Sequence, residues 1–302
     1  MRARGPRTDL RDIENAILAR FIAIEFRQGT PRQGHRIRMI LVIDVGNTRL
    51  KWAWLTSTGL SDQQAVVHRD AKPGLWTAAL FESGPKPRRV LVSNVAGPEM
   101  AKTLIKLAKQ TFRVNVEFVT AAPEFHGLTN GYLDPSLLGA DRWLALIGAW
   151  TLARSALCVV DAGTAVKVDS VDASGQHLGG LIAPGIHMMR EALMSKTSDI
   201  AKAAEHSTPS LAGVLANNTI GAVSRGAVFA LSGMADRAAE IIEQGTGVKP
   251  KLFITGGDAG MITGTMRSHG QIVPDLVLQG LAVIASQSSE EPVLARHVSA
   301  RP

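Results

Sequence analysis

The chain has 302 residues, 45% hydrophobic and 20% charged, a composition typical of one large or two medium globular domains. Its net charge of +7 is uneven, because residues 1–38 hold nine arginines and four acidic residues and so contribute +5. The near-neutral remainder argues against a nucleic-acid partner, and no uncharged apolar run is long enough for a membrane span.

Residues 1–38 are expected to lie outside the folded domain. We interpret them as an arginine-rich N-terminal extension, disordered or arising from an upstream start codon read in error. A basic arm that binds a partner is the alternative. A secretory signal is not expected, because Arg20 and Glu25 interrupt the apolar positions. The natural domain start is Met39.

The stretch from Met39 to Lys51 predicts a strand, a tight turn and a returning strand. Four apolar residues, Ile40 to Ile43, lead directly into Asp44, and Gly46-Asn-Thr48 follows as the turn. A carboxylate at a strand end, beside a turn of backbone N–H groups, suits a metal ion with bound phosphate.

Further buried strands and a helix follow this stretch. Apolar runs predict strands at 89–94 and 114–119, with a helix over 98–110 between them. This mixed order predicts an α/β fold. A polar, loop-like segment over 121–142 then leads into a long helix, predicted from Trp143 to Ala156.

Asp141 and Arg142 fall at or near the first turn of that long helix. The helix dipole alone favours an aspartate there, and spacing alone supports this structural role better than a catalytic one.

The segment Val159 to Asp169 repeats the opening pattern, since Asp161-Ala-Gly-Thr164 again follows an apolar run. A single Asp-x-Gly is usually an ordinary hairpin turn. Two copies, one opening each half of the chain, predict two similarly folded halves that face each other across a cleft. The only cysteine, Cys158, lies in the second apolar run, which indicates a buried thiol in a reducing compartment.

The last third of the chain supplies glycine-rich turns and a second long helix. Thr219, near the start of that helix, is an N-cap or a ligand contact, with capping the default. Gly256-Gly257 follows a strand and would let a purine ring lie against the backbone. No Gly-x-x-x-x-Gly-Lys-Ser/Thr or Gly-x-Gly-x-x-Gly loop is present, so nucleotide binding must use the paired turns.

Four motifs occur in an order that resembles the type III pantothenate kinases, whose relatives include Bvg accessory factors. They cover about residues 39–285, and the motifs are Asp44-Val-Gly-Asn-Thr-Arg-Leu-Lys51, Gly139-Ala-Asp-Arg142, Asp161-Ala-Gly-Thr-Ala165 and Gly179-Gly-Leu-Ile-Ala-Pro-Gly185.

The resemblance implies the acetate and sugar kinase, hsc70 and actin superfamily fold, with two ribonuclease-H-like halves and an interdomain cleft. The halves would span 39–156 and 157–290, with a frayed tail at 291–302. It also implies ATP-dependent phosphorylation of pantothenate to 4′-phosphopantothenate, the first step of coenzyme A synthesis. The expected enzyme is a cytoplasmic homodimer that uses Mg²⁺ with ATP and a monovalent cation, K⁺ or NH₄⁺.

The resemblance further implies a role for each motif residue. Asp141 would be the general base, Asp161 a ligand of the monovalent cation, and Asp44 would lie near Mg²⁺. Thr164 would contact ATP, and Gly256 and Gly257 would lie on the adenine side. The remaining ATP-binding residues would be Asp44, Val45, Gly46, Asn47, Thr48, Arg49, Leu50 and Lys51. Pantothenate would contact Tyr132, Gly139, Ala140, Asp141, Arg142 and Thr219.

One position departs from the family pattern. The family usually has a hydroxyl residue near position 167, and this chain has Lys167, which could replace or repel the monovalent cation. Together with the extension at 1–38, this favours the alternative that the protein is a regulator of the same fold, with little or no catalysis. A different phosphotransferase or phosphohydrolase of the superfamily is a third hypothesis, which the Gly-Ala-Asp-Arg segment argues against.

Overall fold

The computed structural model describes residues 39–61, 63–69, 71, 73–81, 84–205 and 215–287. The extension at 1–38 and the tail at 291–302 therefore lie outside the described residues. The strands are β1 Ile40–Val45, β2 Arg49–Thr56, β3 Gly59–Leu60, β4 Gln64–Val67, β5 Arg89–Asn94, β6 Val116–Phe118, β7 Glu124–Phe125, β8 Leu128–Thr129, β9 Leu157–Ala162, β10 Ala165–Val171, β11 His177–Pro184, β12 Lys251–Thr255 and β13 Gly270–Ile272. The helices are α1 Pro73–Phe81, α2 Pro98–Thr111, α3 Ala140–Ala153, α4 Ile186–Lys196, α5 Ser198–Glu205, α6 Thr219–Thr246, α7 Ala259–Thr263 and α8 Leu276–Gln287, with a 3₁₀ turn at Pro135–Leu137.

The first compact unit contains the described residues within 39–125, 132–152 and 276–287. Its sheet has the order β3-β2-β1-β5-β6, with β4 also paired to β2. Strand β1 runs antiparallel to β2 and parallel to β5. Every residue of β1 is buried, as expected for a central strand, and this explains its uninterrupted apolar run.

The second compact unit contains the described residues within 126–131 and 153–275. Its sheet has the order β11-β10-β9-β12-β13, again with an antiparallel hairpin followed by parallel strands. Helix α6 contacts β9 and β10, and its apolar face joins the buried residues of those strands in one core cluster. The two sheets therefore share one strand order, which confirms the prediction of two similarly folded halves.

The compact units differ from the linear halves at 39–156 and 157–290 in three places. Residues 126–131 and 153–156 belong to the second unit, and α8 packs on β1 and β5 of the first. Close contact between α3 and α8 explains the last difference. A Cβ at Gly280 would lie 2.1 Å from the Leu144 carbonyl oxygen, and one at Gly148 would lie 2.6 Å from that of Leu276, so glycine is needed on both helices.

Candidate active site

The first turn joins β1 to β2 and is closed by its own backbone. The Gly46 N–H donates to the Arg49 carbonyl at 3.0 Å. His68, at the end of β4, bonds through Nε2 to the Gly46 carbonyl at 2.7 Å, and its own N–H donates to the Thr48 carbonyl at 3.1 Å. His68 therefore fixes the turn from both sides. Sequence reasoning missed it, because the contact depends on pairing between β4 and β2.

The predicted ATP-binding residues of this turn divide by burial. Val45 and Leu50 are fully buried in the core, so only their main-chain groups can meet a ligand. Asp44 is 9% exposed, and its Cα lies opposite that of Lys51 in the antiparallel ladder. One carboxylate beside phosphate oxygens is a common donor set for Mg²⁺, so Asp44 fits the magnesium ion that ATP carries. Gly46, Asn47, Thr48 and Arg49 are partly or fully exposed.

Asp141 lies in the first turn of α3 and is 8% exposed. Its Oδ1 accepts the Arg142 N–H at 2.8 Å, which is the helix-start role expected from position alone. A Cβ at Gly139 would lie 2.8 Å from this same Oδ1. The Asp141 carboxylate can therefore occupy this position only because Gly139, the glycine of the Gly-Ala-Asp-Arg motif, has no side chain.

Arg142 and Tyr132 were both predicted to bind substrate, and the structure brings them together. Arg142 Nη1 donates to the Tyr132 hydroxyl at 2.5 Å, and the guanidinium carbon lies 5.3 Å from the ring centroid. Arg142 is only 7% exposed, so this cation–π contact holds a largely desolvated positive charge. A fixed guanidinium of this kind suits a carboxylate ligand.

His177 fixes the backbone immediately before Tyr132. It is 1% exposed; its Nε2 lies 3.0 Å from Asp169 Oδ1, and its Nδ1 accepts the Gly131 N–H at 3.4 Å. This arrangement places the ring proton on Nε2. A Cβ at Gly131 would lie 1.9 Å from the His177 carbonyl oxygen, so glycine is required there. His177 is therefore a buried residue of the second unit with a structural role.

The second turn joins β9 to β10 and is one residue shorter than the first. The Gly163 N–H donates to the Ala165 carbonyl at 3.3 Å, two residues on, whereas the Gly46 N–H reaches the carbonyl three residues on. Two glycines from other segments pack against it. A Cβ at Gly185 would lie 2.3 Å from the Gly163 carbonyl oxygen, and one at Gly256 would lie 2.3 Å from that of Ala162. Close packing against β9 is thus a structural reason for Gly256, and its adenine-side role stays a prediction, as does that of Gly257.

Asp161, the predicted ligand of a monovalent cation, already has a cationic partner. Lys167 Nζ lies 2.8 Å from Asp161 Oδ2. A second cation 4 Å from the ammonium would be repelled by about 4 kcal/mol at an effective dielectric constant of 20, which offsets the attraction of the single Asp161 carboxylate at a similar distance. The residues around Asp161 therefore do not fit an added monovalent cation.

Thr219 is not the N-cap that was the default prediction. Asn218 caps α6, because its side chain accepts the Gly221 N–H at 2.7 Å. Thr219 is instead exposed and lines a cavity of about 640 Å³ formed by residues of α4, α5 and α6, with Pro184. Of the lining residues that the structure describes, Thr219 alone has a polar side chain. Its contact with pantothenate stays a prediction.

The described residues provide neither a preformed metal cluster nor a helix that could span a membrane. Within the described ranges, no group of three or more His, Cys, Asp or Glu side chains could hold a metal ion. None of the described helices combines the length and the apolar character needed to cross a membrane. A magnesium ion at Asp44 would therefore depend on the phosphates of ATP for further ligands.

Comparisons with known proteins agree with this architecture. Residues 40–241 match the family model for type III pantothenate kinase. A type III pantothenate kinase of Nitrosococcus oceani is 36% identical over 257 residues, which are 83% of this chain and 96% of that protein. One of Azoarcus sp. is 39% identical over 256 residues, 84% of this chain and 93% of that protein. Among solved structures, a proposed 2-dehydro-3-deoxygalactonokinase of Sinorhizobium meliloti aligns with a TM-score of 0.50 at 12% identity, covering 82% of this chain and 97% of that one. This likeness supports the predicted α/β fold.

Proposed function

This chain belongs to the type III pantothenate kinase family, and we propose that it transfers the terminal phosphoryl group of ATP to the hydroxyl of pantothenate. The observation that carries the proposal is the Asp44–Lys51 turn, which joins a buried carboxylate to a backbone loop closed by Gly46 and braced by His68. Phosphoryl transfer requires that the protein position the reacting groups and neutralise the charge on the phosphates.

Different residues of the first unit would bind the phosphates, accept the proton and bind the substrate carboxylate. The turn N–H groups, the Thr48 hydroxyl and Lys51 would hold the phosphates. Asp44 would hold the magnesium ion of ATP, which would supply neutralisation of the phosphate charge. Asp141 accepts the proton of the pantothenate hydroxyl, whose oxygen bonds to the γ-phosphorus as the bond to the β,γ-bridging oxygen breaks and ADP leaves. Arg142, held over Tyr132, binds the pantothenate carboxylate.

We also propose that the enzyme is a homodimer. Strand β11 is the edge of its sheet, yet it exposes Leu178, Leu181 and Ile182, with exposed fractions of 47–63%. Met188 and Leu193 on α4 are also more than 40% exposed. An exposed apolar edge strand favours association, and a second copy of this chain is the occupant that the family resemblance implies. We place the enzyme in the cytoplasm, where ATP is available and the buried thiol of Cys158 stays reduced.

Replacing Asp141 by asparagine tests the proposed reaction. Asparagine keeps the size of the side chain and its acceptor for the Arg142 N–H, but it cannot take the hydroxyl proton. We expect pantothenate-dependent ADP release to fall by about 10²–10⁴-fold, the usual contribution of a general base. Circular dichroism and the melting temperature should stay close to those of the wild type.

A matched control is Asp199→Asn, which changes an exposed aspartate in the first turn of α5. This control should keep the wild-type rate. If Asp141→Asn also keeps it, the assignment of the base is wrong. If ADP release by the wild type does not depend on pantothenate, a different phosphotransferase or phosphohydrolase is indicated; if no ADP forms, the regulator alternative is favoured.

A further inference from the structure

Lys167 and Asp161 are held against each other by the register of the sheet. They are direct partners in the antiparallel ladder of β9 and β10, so both side chains project from the same face. Their ladder neighbours Val160 and Val168 are buried in the core of the second unit, which fixes the charged pair on the opposite face. The Nζ–Oδ2 distance is 2.8 Å, and each side chain is only about a fifth exposed.

The main chain beside this pair is also engaged by N–H groups. The Ala162 carbonyl accepts the Asp258 N–H at 3.0 Å, and the Thr164 carbonyl accepts the Gly185 N–H at 2.9 Å. A hard cation binds where several oxygen atoms converge on it. At this turn the Asp161 carboxylate contacts the Lys167 ammonium, and the two carbonyls accept hydrogen bonds from backbone amides. These oxygen atoms therefore already have partners that carry positive charge or donate a hydrogen.

We propose, on the basis of the kinase activity proposed above, that the Lys167 ammonium is a resident cation that replaces an exchangeable monovalent cation at Asp161. A lysine ammonium is a compact point charge with three N–H donors, so it can supply the same charge as NH₄⁺ from a covalently fixed position. Thr164, predicted to contact ATP, lies three residues from Asp161, so the fixed charge sits beside the second turn. The kinase therefore turns over without added K⁺ or NH₄⁺.

The experiment compares the full-length wild type with Lys167→Thr, which keeps a strand-favouring residue and removes the ammonium. Pantothenate-dependent ADP release is measured with magnesium and ATP in tetramethylammonium buffer, alone and with saturating K⁺, NH₄⁺ or Na⁺. The wild-type rate should be the same in all four buffers. Lys167→Thr should lose about tenfold or more in tetramethylammonium, and K⁺ or NH₄⁺ should restore it.

Lys251→Thr is the matched control, since Lys251 is an exposed lysine on β12 of the same sheet. It should behave like the wild type in every buffer. The proposal is overturned if K⁺ or NH₄⁺ raises the wild-type rate tenfold, or if Lys167→Thr needs no cation.

Thermal unfolding gives a readout that does not depend on turnover. With ATP present, K⁺ should raise the melting temperature of Lys167→Thr more than that of the wild type, because only the variant has a site for it. Equal shifts for the two proteins overturn the proposal. Absence of pantothenate-dependent ADP release in every buffer would refute the kinase activity instead, and the unfolding comparison would still decide the role of Lys167.

Discussion

Replacing Gly185 by alanine tests whether the second turn needs its present geometry. Gly185 has φ −69° and ψ 173°, which alanine adopts without strain, so the substitution tests space alone. The added Cβ would lie 2.3 Å from the Gly163 carbonyl oxygen and 2.6 Å from that of Thr164. Ordinary contact begins at 3.4 Å, so the backbone must move by about 1 Å, because interiors are close-packed. No side-chain rotation can relieve a clash with main-chain atoms.

The magnitude follows from this displacement. Overpacking of this kind lowers the free energy of unfolding by roughly 1–3 kcal/mol. A 1 Å shift of groups that position a substrate costs up to about 100-fold in turnover. The assay is kcat/KM for ATP, from pantothenate-dependent ADP release, together with the thermal unfolding of each protein.

The control is Gly233→Ala in the exposed middle of α6, where a Cβ meets nothing within 4 Å. This substitution should raise the free energy of unfolding by about 1 kcal/mol and leave kcat/KM unchanged. If Gly185→Ala keeps the wild-type kcat/KM and melting temperature, the turn tolerates the side chain, and the placement of Thr164 against ATP loses its support.

Two further predictions concern the buried polar groups. Arg142→Lys should raise the KM for pantothenate about tenfold, with a smaller change in kcat. The reason is that an ammonium group loses the planar stacking on Tyr132 and the forked hydrogen bonds to a carboxylate. An unchanged KM would show that Arg142 does not bind the substrate. Burial raises the pKa of the Cys158 thiol to about 11, so at pH 9 alkylation by iodoacetamide should be about 50-fold slower in the folded protein than in the unfolded chain. Because the pKa of the Cys158 thiol is higher in the folded than in the unfolded protein, its contribution to the free energy of unfolding is fully present below pH 9 and is lost as the pH rises toward 11. Rapid alkylation of the native protein would contradict the burial of Cys158.

The central strands could be predicted because a strand buried on both faces has a local run of apolar residues. Strands β1, β5 and β9 are interior strands of their sheets, and each contains three or four consecutive apolar residues. The two strand-end aspartates and their glycine turns follow from the same local pattern. Helix α3 begins at Ala140, three residues before the predicted start at Trp143, because Gly139 and Asp141 form the helix start without a recognisable capping residue.

The contacts that hold the site could not be predicted, because they join residues distant in sequence. His68 reaches Gly46 across 22 positions, and Gly185 packs on the turn at 163–164 from the far end of β11. Helix α8 is buried on all sides from Leu276 to Ala285, and nothing in its own periodicity indicates that it joins the first unit. Such pairings depend on sheet order and on close backbone approach, which local spacing does not encode.

The internal repeat does not by itself give the two strand-end aspartates one role. Each half places a lysine opposite its aspartate, Lys51 opposite Asp44 and Lys167 opposite Asp161. The ladder position is therefore common to both halves, and the 2.8 Å contact between Lys167 Nζ and Asp161 Oδ2 is what supports a resident cation in the second half. Asp44 is 9% exposed and keeps its proposed place beside magnesium and phosphate. Because a cross-strand position can change without altering the sheet register, the dependence on an exchangeable cation can be lost by one substitution while the phosphate turn of the other half stays intact.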